Sequence, residues 1–321
     1  MNEKRIISLN EYSSDFINHL FGPNEKYLNE LRKIYKCDII FRTPDLIIIS
    51  DEKTFKHIKD VLTYMIEATN GGINIREREI NYAANIAEKS NLDKLSKLHT
   101  ELINKTFNGK PIYPKTLGQS YLYKCMREKP IVFASGVAGT GKTYLAVMYA
   151  ISLLKKDEIN KIILTRPAVE AGETLGFLPG DLKEKVDPYL TPLYDALNDA
   201  LGNENVEKLM EKEIIEIAPL AYMRGRTLHN AFIILDEAQN CTKAQMKMFL
   251  TRMGFNSKVI VTGDVTQIDL IKKKDSGLVD AKKILKDMDD IAFVELSSAD
   301  VVRNPLVQKI LDCYEKYETE D

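Results

Sequence analysis

Residues Gly136-Val137-Ala138-Gly139-Thr140-Gly141-Lys142-Thr143, GVAGTGKT, stand between the apolar run PIVFAS and the helix-like run YLAVMYA. The stretch satisfies G-x-x-x-x-G-K-[ST] in full, and it has the strand before and the helix after that the pattern requires. Gly136, Gly139 and Gly141 let backbone N–H groups converge on phosphate oxygens, where a Cβ would obstruct them. Val137, Ala138 and Thr140 complete the loop. The positive end of a helix beginning near Lys142 adds to the field. In such a loop Lys142 reaches the β- and γ-phosphates, and the Thr143 hydroxyl ligates Mg2+. The stretch therefore predicts a nucleoside triphosphate site.

Working outward, short apolar and β-branched runs alternate with helical segments. The strand-like runs are Ile131–Ser135, Lys161–Thr165, Ile214–Ile217, Phe232–Leu235, Val259–Thr262 and Ala292–Leu296. Runs that are apolar throughout fit a parallel sheet covered on both faces. The alternation predicts an α/β fold with crossover helices, and ligands in such sheets sit at the C-terminal ends of the strands.

Two further segments fall at those ends. FIIL is followed by Asp236-Glu237-Ala238-Gln239. An aspartate at the tip of a buried strand is placed to hold Mg2+, and the adjacent Glu237 can polarise an attacking water. Paired acids there could also be a helix cap with first-turn charge. VTGDVTQ then brings Gly263-Asp264 with Gln267 three residues on. This resembles the GDxxQ motif of superfamily 1 helicases, in which the Gln senses the γ-phosphate. DEAQ and ILTRPA resemble motifs II and Ia of the same group. Upstream, PKTLGQ places Gln119 where a glutamine motif reads an adenine edge, since its amide offers a donor and an acceptor together. A solvated Gln at a helix start is the plainer alternative.

The first hundred residues have a different texture. Asn29–Lys36 reads as the end of a helix, Cys37–Arg42 and Leu46–Ile49 as strands, and Lys53–Ala68 as an amphipathic helix stopped by Asn70-Gly71-Gly72. A polar helical stretch extends from Ile75 to Lys105. We expect a small α+β domain over 1–105, a linker over 106–113 where Gly and two Pro cluster, and an ATPase domain over 114–321. The 321 residues carry a net charge of -2, so nucleic acid would have to meet a local basic patch rather than a bulk field. Four scattered cysteines form neither a zinc site nor a disulfide framework. Without a signal-peptide core or a membrane-length apolar run, the expected location is the cytoplasm.

One segment carries a closer resemblance. TRPAVEAGETLGFLPGDLKEKVDPYLTPLYDAL, with PLAYMRGRTLHNAFIILDEAQN and DVVRNPLVQ, resembles the PhoH family of P-loop ATPases from about Pro114 onward. The resemblance implies a RecA-like ATPase core, ATP and Mg2+ as cofactors, assembly as a homo-oligomeric ring and a link to RNA. In the RNA-associated branch it implies a YbeY-type endoribonuclease as partner. The N-terminal unit resembles that branch's KH-like domain, though Gly22-Pro23-Asn24-Glu25-Lys26 lacks the second Gly of a GXXG loop.

Some arginines complete the candidates. Arg303 suits an arginine finger supplied by a neighbouring subunit, because one lobe cannot close its own site, or else a surface arginine paired to Asp300 or a helix end. Arg166, Arg224 and Arg226 are candidate RNA or phosphate contacts, and Lys272-Lys273-Lys274 is a charge run of the same kind or a solvated face. Two functions follow from these readings. One is an ATPase coupled to RNA remodelling or processing with a partner nuclease, with helicase activity not assumed. The other is a nucleotide-dependent assembly switch without a nucleic-acid substrate.

Overall fold

A computed structural model of the chain describes residues 2–70, 75–88, 101–167 and 182–302, with positions 307, 310 and 313. The chain divides into two units, one of 1–101 with 115–117 and 304–321, the other of 102–114 and 118–303.

In the first unit the order is β1 (Glu3–Ser8), α1 (Ser14–Phe21), α2 (Lys26–Tyr35), β2 (Asp38–Arg42), β3 (Asp45–Ser50), α3 (Glu52–Asn70) and α4 (Glu77–Glu88). The strands form an antiparallel sheet in the order β1-β3-β2, with Glu3 opposite Ser50 and Arg42 opposite Asp45. Leu46 and Ile48 of β3 are buried against Ile58, Val61, Leu62 and Met65 of α3, at the three-and-four spacing that the sequence displays. Two elements were not expected. β1 has no period-two alternation, because Ile6 and Ile7 follow three charged residues. α1 starts at Ser13, whose hydroxyl accepts from the Phe16 N–H, and buries Ile17, Leu20 and Phe21. The turn Gly22–Lys26 joins α1 to α2, and within it Glu25 pairs with Arg32 at 2.9 Å.

The second unit opens with a short antiparallel pair, β4 (Asn104–Lys105) and β5 (Pro111–Ile112), where a linker was expected. Ile103 and Ile112 belong to the buried core of this unit, and Asn104 Nδ2 donates to the Met148 carbonyl. Asn108-Gly109 makes a hairpin turn here, closed by Thr106 N–H and Lys110 O at 2.9 Å. The same Gly and Pro signals mark spacers and tight turns alike, which is why composition misassigned the segment.

α5 (Leu117–Glu128) then leads into β6 (Ile131–Gly136), α6 (Lys142–Lys155), β7 (Lys161–Arg166), α7 (Leu182–Leu201), α8 (Asn203–Glu211), β8 (Ile215–Pro219), β9 (Ala231–Leu235), α9 (Lys243–Leu250), β10 (Lys258–Gly263), α10 (Gly277–Leu285) and β11 (Ile291–Leu296). Six strands form one parallel sheet in the order β11-β6-β10-β9-β7-β8. Each expected strand lies within two residues of an observed one.

The sheet separates two cores by side-chain alternation. Phe232, Ile234, Ile260 and Leu164 face a cluster with α6 and α7, including Leu145, Met148, Leu193 and Leu197. Ile233, Leu235, Val261 and Phe133 face a second cluster with Met246 and Phe249 of α9 and Leu278 of α10. Every residue of β9 is buried. Burial on both faces explains why these strands read as continuous apolar runs. α6 is buried along most of its length, as an almost wholly apolar helix must be. None of the described helices is long and apolar enough to cross a membrane.

Candidate nucleotide site

Because all six strands run parallel, the chemistry-bearing residues meet at one end of the sheet. β6 ends in Gly136, β7 in Arg166 and β10 in Gly263, and Asp236 directly follows β9. They surround a cleft of about 420 Å3 whose walls include Lys142, Thr143, Arg166, Asp236, Glu237 and Gln267.

The loop is built to bring backbone close. Gly141 sits at φ 79°, in the left-handed region that a Cβ disfavours. A Cβ on Gly136 would lie 2.3 Å from the Leu296 carbonyl oxygen of the neighbouring strand β11. Thr140 is buried and its hydroxyl donates to the Val137 carbonyl at 2.9 Å. The Lys142 ammonium donates to the carbonyls of Gly136 at 2.6 Å and Val137 at 3.0 Å, so it lies across the mouth of the loop. Val302 N–H donates to the Gly139 carbonyl at 2.8 Å and ties the chain beyond β11 to the same loop.

Asp236 is the hub. It is 3% exposed, and its Oδ1 accepts from the Thr143 and Thr262 hydroxyls, each at 2.6 Å. Its Oδ2 accepts from Arg166 Nε at 2.8 Å and Nη2 at 2.5 Å. The parallel register places Val261 beside Leu235, so Thr262 comes to rest beside Asp236. A carboxylate this deeply buried needs the guanidinium and both hydroxyls to offset its lost hydration.

Glu237 is placed differently. Its backbone is left-handed at φ 53°, and its side chain is 45% exposed toward the cleft. Its Oε2 accepts from Gln239 Nε2 at 2.6 Å, and Gln239 Oε1 in turn accepts from the Asp264 N–H at 3.0 Å. Asp264 is 5% exposed. Its Oδ1 accepts from the Thr266 N–H and hydroxyl, whereas its buried Oδ2 has no hydrogen-bond partner among the described residues. Buried carboxylate oxygens are rarely left without a donor. Thr143, Asp236 and Asp264 all line the cleft and offer hard oxygens of the kind Mg2+ takes beside phosphate. At the cleft's edge the Tyr144 hydroxyl donates to Asp199 at 2.6 Å. Burial, reinforced by that carboxylate, raises the phenol's pKa well above its ordinary value and keeps it protonated.

The remaining candidates divide. Gln267 lines the cleft, and its N–H donates to the Asp264 carbonyl at 3.0 Å. Gln119 does not line it. Only 3% exposed, it donates through Nε2 to the Thr140 carbonyl at 2.9 Å, so it braces the loop from beneath. One N–H of its amide is thus engaged by the loop backbone, a role the adenine-edge expectation did not include. Arg166 belongs to the nucleotide cleft rather than to an RNA surface, because its guanidinium is held by Asp236. Arg226 is also committed, through a two-point pair with Glu216 at 2.5 and 2.7 Å. The hydrogen bonds from Arg226 are the main cause that lowers the Glu216 pKa. Arg224 is exposed and has no ion pair among the described residues. Arg303 and the segment GETLGFLPG lie outside the described residues.

Sequence reasoning passed over Thr262 and Gln239 as working residues. Thr262 gives no sequence signal beyond its place in a strand. Gln239 stood in DEAQ, but its bond to Asp264 depends on β9 and β10 being neighbours.

The sequence profile of the family described as PhoH-like protein matches residues 111–315. A PhoH-like protein of Bacillus subtilis is 54% identical over 297 residues, 92% of this chain and 93% of that protein. One from Synechocystis is 46% identical over 299 residues, 93% of this chain and 91% of its own. Protein PhoH of Escherichia coli K12 is 46% identical over 206 residues, 64% of this chain and 58% of its own. With its phosphate-binding loop on a parallel sheet and a match of this extent, the chain is a nucleotide-binding P-loop protein and belongs to the PhoH family.

Proposed function

We propose that the protein hydrolyses ATP with Mg2+ and couples hydrolysis to RNA remodelling or processing beside a partner nuclease. The observation that carries the hydrolytic part is the pairing of a buried Asp236, bonded to Thr143, with an open Glu237 on the same cleft. Lys142 leaves the loop carbonyls to meet the β- and γ-phosphates, while the loop N–H groups hold their oxygens. Thr143 and Asp236 would hold Mg2+, whose charge would offset that of the phosphate oxygens. Glu237 takes a proton from the attacking water, and Gln239 fixes the carboxylate for that task. Gln267 lies where it can report on the terminal phosphate. Arg166 holds the Asp236 carboxylate in place.

The RNA part is supported by the order of helicase-like segments, by the exposed Arg224 and by the sequence resemblance of the first unit to a KH-like domain. A homo-oligomeric ring with Arg303 as the finger, a YbeY-type endoribonuclease as partner and a cytoplasmic setting belong to the same proposal. The test is phosphate release from Mg-ATP by the unaltered protein, with and without single-stranded RNA, alongside RNA binding. RNA is expected to bind and to raise the rate. RNA that neither binds nor changes the rate, while ATP alters the assembly state, would favour the switch reading instead.

A further inference from the structure

The loop after β10 leaves the cleft, crosses solvent and returns to α10. Its outer part is exposed: Ile271 is fully so, and Lys272, Lys273 and Lys274 follow it with no ion pair among the described residues. Three adjacent ammonium groups without a carboxylate partner form a local cationic point on a chain whose net charge is negative.

The attachment of this loop is unusual. Nearly all its anchors lie on the short segment directly after Glu237. At its start, Asp264 N–H donates to Gln239 Oε1 at 3.0 Å. In the middle, Asn240 and Asp269 clasp each other. Asn240 Nδ2 donates to Asp269 Oδ2 at 2.9 Å, and Asp269 N–H donates to Asn240 Oδ1 at 2.8 Å. At its end, the Ser276 hydroxyl donates to the Gln239 carbonyl at 2.8 Å, and Gly277 N–H donates to the Cys241 carbonyl at 2.7 Å. Residues 239–241 in turn meet Glu237, through Gln239 Nε2 donating to its Oε2 at 2.6 Å and Asn240 N–H donating to its carbonyl at 3.1 Å. The left-handed backbone of Glu237, at φ 53°, is one that a non-glycine residue keeps only where its surroundings enforce it.

We propose that Lys272, Lys273 and Lys274 bind the phosphates of single-stranded RNA, and that the Asn240–Asp269 clasp carries this binding to Glu237. This rests on the RNA-coupled reading above. The lysines are the contact, the clasp is the transmission and Gln239 is the positioning residue at its end. Asn240 and Asp269 touch neither nucleotide nor RNA.

Stimulation, the ratio of hydrolysis rates with and without oligouridylate RNA, separates these parts. For K272A/K273A/K274A the ratio is expected to fall to about one. RNA affinity should fall with it, and the salt dependence of binding should become shallower by about 2 in log–log slope, near 0.7 for each lost phosphate contact. For Asn240→Asp, which sets two carboxylates face to face, the ratio should fall while RNA affinity stays within about twofold. The exchanged pair N240D/D269N restores a donor opposite an acceptor and should recover most of the stimulation. A lost loop fold would not be rescued in this way without also lowering RNA affinity. If the unaltered protein is stimulated but the lysine and clasp variants keep its ratio, this route is overturned and the RNA-coupled reading stands. An unaltered protein that neither binds RNA nor responds to it overturns both.

Discussion

Glu237→Gln is expected to hold Mg-ATP with little change in affinity and to release phosphate about 10²- to 10⁴-fold more slowly, the range for loss of a positioned general base. The substitution keeps the shape of the side chain and a carbonyl oxygen for Gln239 Nε2 to bond. It removes only the ability to take a proton. Asp236 still neutralises Arg166 at 2.5 Å, so loss of the longer Arg166–Glu237 contact at 3.6 Å should leave the fold little affected. Nucleotide binding by fluorescence and phosphate release in the same sample measure the two quantities. A variant hydrolysing within threefold of the unaltered protein would assign the water to some other group.

Asp236→Ala should fail differently. Its carboxylate neutralises an Arg166 side chain that is only 13% exposed and accepts from two hydroxyls. Removing it leaves the buried guanidinium with a longer contact, to Glu237 at 3.6 Å, so the cost should approach the about 3–5 kcal/mol of breaking a buried pair. The denaturation midpoint should drop well below that of Glu237→Gln, and Mg-ATP should no longer raise it, since binding stabilises only a competent native state. Asp236→Asn, which retains an acceptor for the hydroxyls, should fall between the two. An Asp236→Ala protein as stable as the unaltered chain would show that Arg166 does not depend on this carboxylate.

The sheet was legible because burial on both faces makes its strands continuous apolar runs, and β9 is the extreme case. The phosphate loop was legible because its glycines, lysine and threonine must be adjacent in sequence to surround one phosphate chain. What stayed hidden depends on neighbours distant in sequence. Thr262 reaches Asp236 only through the parallel register of β9 and β10, and Gln239 reaches Asp264 only across the same pair. Gln119 shows a contact that sequence position does not announce: its 2.9 Å bond to the Thr140 carbonyl braces the loop. Arg166 and Arg226 looked like free cations in sequence, but a carboxylate from another strand engages each of them. The hairpin at 104–112 was missed because glycine and proline serve turns and spacers equally.

The central claim is that GVAGTGKT and the Asp236-Glu237 pair together hydrolyse ATP. Phosphate release from ATP with enzyme in excess, read over a single turnover beside Lys142→Ala, tests it most directly. The unaltered protein should convert the bound ATP fully when Mg2+ is present and remain at background with a chelator. Lys142→Ala should stay at background in both, having lost the ammonium that meets the β- and γ-phosphates. Equal phosphate release from the two proteins would contradict the account.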